Sequence, residues 1–153
     1  MLPRHDTGRA VSVSERAHTY PPLHTFILVG IGAMVGVAAR ALLGEVWPPQ
    51  NHIAYTTVGI NLVGALLLGL LTERLAARGP ETSRIRDVRL LLGTGVIGGF
   101  TTFSAIAMDT VTLLHLGRVT DALIYALISM LGGVVTAWLG MILGARVFGR
   151  SVR

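Results

Sequence analysis

Four apolar stretches, each long enough to cross a bilayer, constrain this chain more than any other feature of its sequence. Two of them, residues 53–72 and 122–145, contain no charged residue, and the others are residues 25–44 and about 90–116. A helix needs about 20 apolar residues to cross the hydrocarbon core of a membrane. The sequence therefore predicts an all-α membrane protein with four transmembrane helices.

The composition favours the same class. Of the 153 residues, 52% are hydrophobic and 14% are charged, whereas soluble domains carry about 25% charged residues. The net charge of +5 comes from arginines that lie at the ends of the apolar stretches, so we expect a lipid membrane as the partner and no nucleic acid. The absence of cysteine excludes disulfides and thiolate metal sites.

The distribution of arginine predicts the orientation in the membrane. With four spans, both termini and the middle loop share one side. That side carries three arginines before the first span, five between the second and third, and three after the fourth, and only Arg40 and Arg118 lie toward the other side. The positive-inside rule then places both termini in the cytoplasm of a multi-pass cell-membrane protein. We expect residues 1–24 to be a disordered cytoplasmic tail, residues 25–147 the membrane domain and residues 148–153 a basic tail.

The third apolar stretch contains residues that do not favour a helix. Gly98 and Gly99 are followed by Phe100, Thr101 and Thr102, and glycine and β-branched threonine are poor helix formers. Irregular backbone is tolerated in a bilayer only where protein buries it or water reaches it. We therefore expect the third helix to be broken at mid-membrane, a feature typical of transport proteins.

The few polar residues within the spans are hydrogen-bond donors. Thr57 and Asn61 are spaced i, i+4, as are Tyr125 and Ser129, so each pair shares one helix face. For each residue alone, an interhelical hydrogen bond is a sufficient role. Taken together, these donors and the broken third helix favour a pathway through the protein that polar side chains line. No Asp or Glu is expected at mid-depth, which favours a small anion over a cation as the permeating ion.

Other patterns have simpler interpretations. Residues 93–98 match G-x-G-x-x-G, but they lie within a membrane stretch and not in a βαβ unit, so a nucleotide site is rejected. Arg40 is either a functional charge in a vestibule or a side chain that reaches the membrane interface. Glycines four residues apart predict tight helix packing, which also suits an oligomer. These glycine pairs are Gly32/Gly36, Gly95/Gly99 and Gly140/Gly144.

At these residues the chain resembles the Fluc (CrcB) family of small fluoride channels, over roughly residues 26–144. The first two spans contribute residues 36–40 (GVAAR) and 59–64 (GINLVG). The third contributes residues 93–95 (GTG) and the highly specific residues 98–104 (GGFTTFS). The fourth contributes Tyr125, Ser129 and residues 137–140 (AWLG).

The resemblance implies a passive fluoride-selective channel, built as an antiparallel dimer with two pores. It also implies a structural sodium ion at the dimer centre, held by the backbone carbonyls of Gly98 and Thr101. The implied pore residues are Asn61, Phe103, Tyr125 and Ser129, with Thr57 and Thr102 nearby. Fluoride is strongly hydrated, so only donors already in place can offset its dehydration.

Two positions depart from the family pattern. Ile106 stands where the family usually has a second phenylalanine, and Gly133 stands where it often has a serine. Both substitutions remove pore-lining groups. With the arginine bias, which opposes insertion in both orientations, they favour a heterodimer with a paralogous subunit over a homodimer.

Alternative functions have less support. A small multidrug exporter needs a carboxylate in the first span, and residues 25–44 have none. A non-transporting membrane scaffold would use the glycine pairs only for packing. An enzyme is not expected, because the sequence shows no nucleophile and base pair and no metal-ligand spacing.

Overall fold

The structure is a computed structural model, and it describes residues 22–149. Most of the predicted N-terminal tail, residues 1–21, lies outside the described residues, as do residues 150–153. The described chain is helical apart from its connections and one isolated β-bridge between Gln50 and Ile53. The all-α class is therefore confirmed.

Four helical spans follow one another along the chain. Helix α1 is Leu23–Val46, α2 is Tyr55–Ala76 and α6 is Val119–Phe148. The third span is Ser83–His115. All four are long enough and apolar enough to cross a membrane, which confirms the predicted number of spans in a multi-pass membrane protein.

The helix of the third span begins seven residues before residue 90, where the apolar stretch was predicted to start. The span begins with helix α3, Ser83–Val88, whose N-cap Thr82 accepts a hydrogen bond from the Ile85 backbone N–H at 3.3 Å. Ile85 is buried, so one apolar side chain packs this charged segment against the rest of the chain. The capping threonine and the buried isoleucine extend the helix into a region whose charges indicated a connection.

The third span changes its helical geometry along its length. After α3, a π-helical segment covers Arg89–Ile97, and the short helix α4 covers Gly98–Phe100. Thr101 and Thr102 then have extended backbones, with φ/ψ of −77°/157° and −152°/118°. Helix α5, Phe103–His115, completes the span. Two residues of extended backbone therefore lie between two helices of one membrane-spanning segment.

Glycine allows α1 to pack closely against the third span. A Cβ on Gly95 would lie 2.9 Å from Gly32 Cα, and one on Gly99 would lie 2.5 Å from the Ala33 carbonyl oxygen. Both distances are shorter than an ordinary van der Waals contact, so only glycine fits at these positions. Such close approach of backbones is typical of helix packing within membranes.

A second glycine contact joins α2 to α6, which is the most extensive helix pair of the fold. A Cβ on Gly140 would lie 3.2 Å from Gly69 Cα, and one on Gly144 would lie 2.6 Å from Glu73 Cβ. All three glycine pairs recognised in the sequence therefore pack helices of the same chain. Their packing role is explained within one subunit, without an oligomer.

Candidate functional site

The extended residues of the third span are held by a side chain of α2. Asn61 Oδ1 accepts a hydrogen bond from the Thr102 backbone N–H at 2.7 Å, and Asn61 Nδ2 donates one to the Thr102 carbonyl oxygen at 3.0 Å. One carboxamide thus satisfies both polar groups of one peptide residue. The two predicted site residues are in direct contact.

The hydroxyl group of Thr102 caps helix α5. Thr102 Oγ1 accepts a hydrogen bond from the Ala105 N–H at 3.2 Å and lies 3.2 Å from Ser104 Oγ. Thr102 is 8% exposed, and its backbone and side-chain polar groups all have hydrogen-bond partners within the chain. The predicted pore role of Thr102 stays a prediction, beside this observed capping role.

Phe103 is the first residue of α5 and is 72% exposed. It follows Thr102 directly in the chain and is the first residue after the interruption. In a span that crosses lipid, an exposed ring beside interrupted backbone is available to lipid, to a partner subunit or to a pathway. Its ring edge carries partial positive charge, which suits an anion.

Tyr125 and Ser129 lie on the buried face of α6, at 5% and 3% exposure. The Ser129 hydroxyl donates to the Tyr125 carbonyl oxygen at 2.7 Å. The Tyr125 hydroxyl donates to Asp109 Oδ2, also at 2.7 Å. Asp109 therefore joins the predicted lining, and the sequence analysis missed it. The signal was present, because a carboxylate inside a membrane span is rarely without function.

Arg40 lies beside two of the predicted residues. It lines a cavity of about 210 Å³ together with Thr57, Thr102 and residues of the connection between α1 and α2. The only other arginine predicted for this side, Arg118, is bonded to Asp121 at 2.7 Å and to the Asn51 carbonyl. Among residues 22–149 Arg40 forms no ion pair, so its charge is available to the cavity. Both interpretations of Arg40, a charge in a vestibule and a side chain that reaches the interface, stay predictions.

The carbonyls proposed for sodium lie where the helical hydrogen bonds end. The backbone N–H and the hydroxyl of Thr101 both donate to the Ile97 carbonyl, at 2.9 and 3.0 Å. The Thr102 N–H, which would continue the pattern to Gly98, donates to Asn61 instead. The Gly98 oxygen thus lacks its helical partner, and Gly98 and Thr101 line a cavity of about 260 Å³ with Asn61. Carbonyl oxygens suit a hard cation, but two from one chain are too few, so the site fits only if a second subunit adds its own.

The two departures from the family pattern have different surroundings. Ile106 is 7% exposed and packs in a cluster with Leu113, Ala122 and Tyr125. Gly133 has no atom within 4 Å of an added Cβ. Ile106 therefore contributes to packing of the subunit, whereas position 133 has room for a side chain.

The predicted residues form two groups. Asn61, Thr57 and Thr102 lie around the interruption, and Tyr125 and Ser129 lie with Asp109 between α5 and α6. Phe103 projects from the first group toward the outside of the subunit. The Tyr125 and Ser129 hydroxyls already donate within the chain. The arrangement can offer an anion the second N–H of Asn61 and the Thr57 hydroxyl, which lies in the cavity that Arg40 lines.

Comparison with known proteins gives consistent results. Residues 27–141 match the family described as CrcB-like protein, Camphor Resistance (CrcB). A protein of Leifsonia xyli named fluoride-specific ion channel FluC 2 is 44% identical over 130 residues, which cover 82% of this chain and 90% of the relative. FluC 1 of Cutibacterium acnes is 37% identical, over 72% and 78% of the two chains. FluC of Hyphomonas neptunium is 35% identical, over 82% and 99%.

Proposed function

This chain belongs to the CrcB-like protein family, and we propose that it forms a passive, fluoride-selective channel that lowers the fluoride concentration of the cytoplasm. The observation that carries the proposal is the similarity, over 82% of the chain, to a protein named as a fluoride-specific ion channel. The geometry supports it through the donor groups gathered at the interruption of the third span. No enzymatic activity is proposed.

A donor-rich lining suits fluoride in particular. The anion is small and strongly hydrated, so it enters a narrow path only where fixed donors replace its water. Thr57 and the second N–H of Asn61 are such donors, and the ring edge of Phe103 adds a weak attraction. The Ser129 hydroxyl can donate to an ion only by giving up its bond to the Tyr125 carbonyl. Hydroxyl oxygens can also bind a cation, and Asp109 adds a carboxylate beside Tyr125. The preference for an anion is therefore proposed for the Asn61 N–H, the Phe103 ring edge and Arg40, and not for every lining group.

The direction of flow follows from acid–base chemistry. Fluoride enters a cell as neutral HF, dissociates at the cytoplasmic pH and is trapped as the anion. A passive anion pathway lets it leave down its electrochemical gradient, without coupling to another ion.

An antiparallel dimer accounts for the exposed residues near the interruption. Phe103 and Gly98 are exposed in the single subunit, although both belong to the predicted site. A second subunit would cover them and would add two more carbonyl oxygens to those of Gly98 and Thr101. Sodium bound there would hold the two interrupted spans together, and we infer that the interruption lies at mid-membrane depth.

The partner subunit is proposed to be a paralogue inserted in the opposite orientation. Eleven of the thirteen arginines lie on one predicted side, and by the positive-inside rule this bias supports a single orientation with both termini in the cytoplasm. The numbered names FluC 1 and FluC 2 among the relatives are consistent with paired family members. A fixed pair would also tolerate Ile106 and Gly133, because the partner can retain the lining groups that this chain lacks.

The test is fluoride efflux from liposomes loaded with potassium fluoride, with this chain and its paralogue reconstituted together. A passive channel carries net charge, so efflux should be slow until valinomycin lets potassium leave as well. Efflux that is equally rapid with and without valinomycin would indicate coupled, electroneutral transport and would contradict the proposal. Liposomes that contain an Asn61→Asp variant, matched for assembled protein, serve as the control.

A further inference from the structure

The interruption of the third span depends on a side chain from another helix. Asn61, in α2, bonds both the N–H and the carbonyl oxygen of Thr102. We propose that Asn61 is a positioning residue, which fixes the interruption by holding the Thr102 peptide and thereby sets where Phe103 lies. The inference rests on the proposed function, because it gives the positioned ring a role in fluoride permeation.

The polar groups of Thr102 need this partner. An interrupted helix leaves backbone N–H and carbonyl groups without their helical bonds, and hydrocarbon offers no replacement. Thr102 is buried, so water does not compensate either. The two hydrogen bonds with Asn61 supply partners for both polar backbone groups of Thr102, the second of the two extended residues.

A carboxamide is the group that this task requires. It carries an acceptor and a donor side by side, as a peptide does, and it therefore pairs with a peptide in both directions. Aspartate would keep the acceptor and lose the donor, and serine or threonine at position 61 would be too short to make both bonds. Helix α2, which carries Asn61, is held in place because it packs against α6 through the close contact of Gly69 and Gly140.

The competing conformation is a helix that continues through the interruption. The Thr101 N–H still bonds the Ile97 carbonyl, four residues back, in the helical manner. Without Asn61, the Thr102 N–H would be free to bond the Gly98 carbonyl in the same manner. The helix would then extend, and the direction of Phe103 would rotate with it. Asn61 therefore competes directly with one helical hydrogen bond.

Positioning and pore lining by Asn61 are separable. A variant at position 61 removes both roles, whereas an ester in place of the Thr102 amide removes the N–H whose hydrogen bond Asn61 Oδ1 accepts. The ester also makes the Thr101 carbonyl a weaker acceptor, so the dependence of assembly on sodium is measured alongside efflux. Every side chain stays as it is. The matched control is the same ester at Ser104, whose N–H lies in the first turn of α5 and has no helical partner.

The experiment uses the full chain, assembled with its partner subunit, with 4-fluorophenylalanine at position 103. Fluoride efflux reports function, and the ¹⁹F chemical shift reports the surroundings of the ring. The Thr102 ester should slow efflux about tenfold, the size expected for one buried hydrogen bond, and should shift or broaden the ¹⁹F signal. The Ser104 ester should change neither.

The results also separate this inference from the proposed function. A Thr102 ester with wild-type efflux and a wild-type ¹⁹F signal would overturn the positioning role. So would an Asn61→Ala variant that loses efflux while its ¹⁹F signal is unchanged, because Asn61 would then act only on the ion. A Thr102 ester that assembles with the wild-type dependence on sodium, and that slows efflux and shifts the ¹⁹F signal, supports the positioning role. If the wild-type protein releases no fluoride, the proposed function fails, whereas the ¹⁹F signal still tests what holds Phe103.

Discussion

Substituting alanine at two adjacent glycines should separate the dimer contact from the packing of a single subunit. Gly98 is exposed, and an added Cβ would meet only the Gly93 carbonyl oxygen, at 3.7 Å. Within one chain, Gly98→Ala is therefore free of strain and gains up to about 1 kcal/mol of helix preference. If a second subunit lies against Gly98, the methyl group overpacks that contact by about 1–3 kcal/mol. The dissociation constant of the dimer would then rise about 5- to 150-fold.

Gly99→Ala is the matched control, because it acts within the subunit. Its Cβ would lie 2.5 Å from the Ala33 carbonyl oxygen and 2.9 Å from the Ala33 Cα. Both atoms are backbone, so α1 must move away from the third span, at a cost of about 1–3 kcal/mol. This cost falls on the fold of the single chain, whatever the concentration of its partner.

The measurement is the dimer fraction in liposomes as the protein-to-lipid ratio falls, together with the thermal loss of helicity. Gly98→Ala should dissociate at a higher protein density than the wild type, while the helices of the isolated subunit melt at the wild-type temperature or slightly above it. Gly99→Ala should melt at a lower temperature. A Gly98→Ala protein that dimerises normally, with an unchanged response when sodium is replaced by a large organic cation, would refute the placement of Gly98 at the contact.

Four further outcomes are expected. Arg40→Gln should slow fluoride efflux at low ionic strength, and the difference should shrink as salt screens the charge; a rate that is unchanged at low salt would show that Arg40 does not attract the anion. Asn61→Asp should nearly abolish efflux, because the new carboxylate and a fluoride ion about 4 Å away repel by roughly 4 kcal/mol at an effective dielectric near 20. Wild-type efflux from an assembled Asn61→Asp dimer would place Asn61 off the pathway. Gly133→Ser should assemble normally, since no atom lies within 4 Å of the added Cβ, and a loss of the dimer on size-exclusion chromatography would contradict this. Single cysteines added at the two termini should be labelled only from the cytoplasmic face, and labelling from both faces, with fluoride efflux from this chain alone, would show a dual-topology homodimer.

The spans could be predicted from the sequence because their signal is local. An uncharged stretch of about 20 residues has few alternatives to a membrane helix. The earlier start of the third helix has a local cause as well. The charges of residues 84–89 suggested a connection, whereas the cap at Thr82 and the burial of Ile85 continue the helix.

The contacts of the site were less accessible to sequence reasoning, because they join distant parts of the chain. Asn61 could be recognised as a buried amide that needs partners, but its partner is 41 residues away. Asp109 and Tyr125 lie 16 residues apart and meet only because α5 and α6 pack together. Side-chain spacing along one helix contains no information about either pair.

The glycine pairs show the same distinction. Their spacing predicted close helix contacts, and close contacts are observed. The spacing did not indicate which helices would meet, and Gly95 contacts Gly32 of the same chain. A local pattern thus predicted the type of contact, while the fold determined the partner.

The most direct test of a passive, fluoride-selective channel is its reversal potential in a planar bilayer. The assembled protein is placed between solutions with a tenfold gradient of fluoride and equal chloride, at the same pH on both sides. We expect current to reverse at the fluoride equilibrium potential, about 59 mV for a tenfold gradient of a monovalent ion, and to stay there when chloride is replaced by a large organic anion. A reversal near zero, or one that follows chloride or a pH gradient, would contradict a passive fluoride-selective pathway.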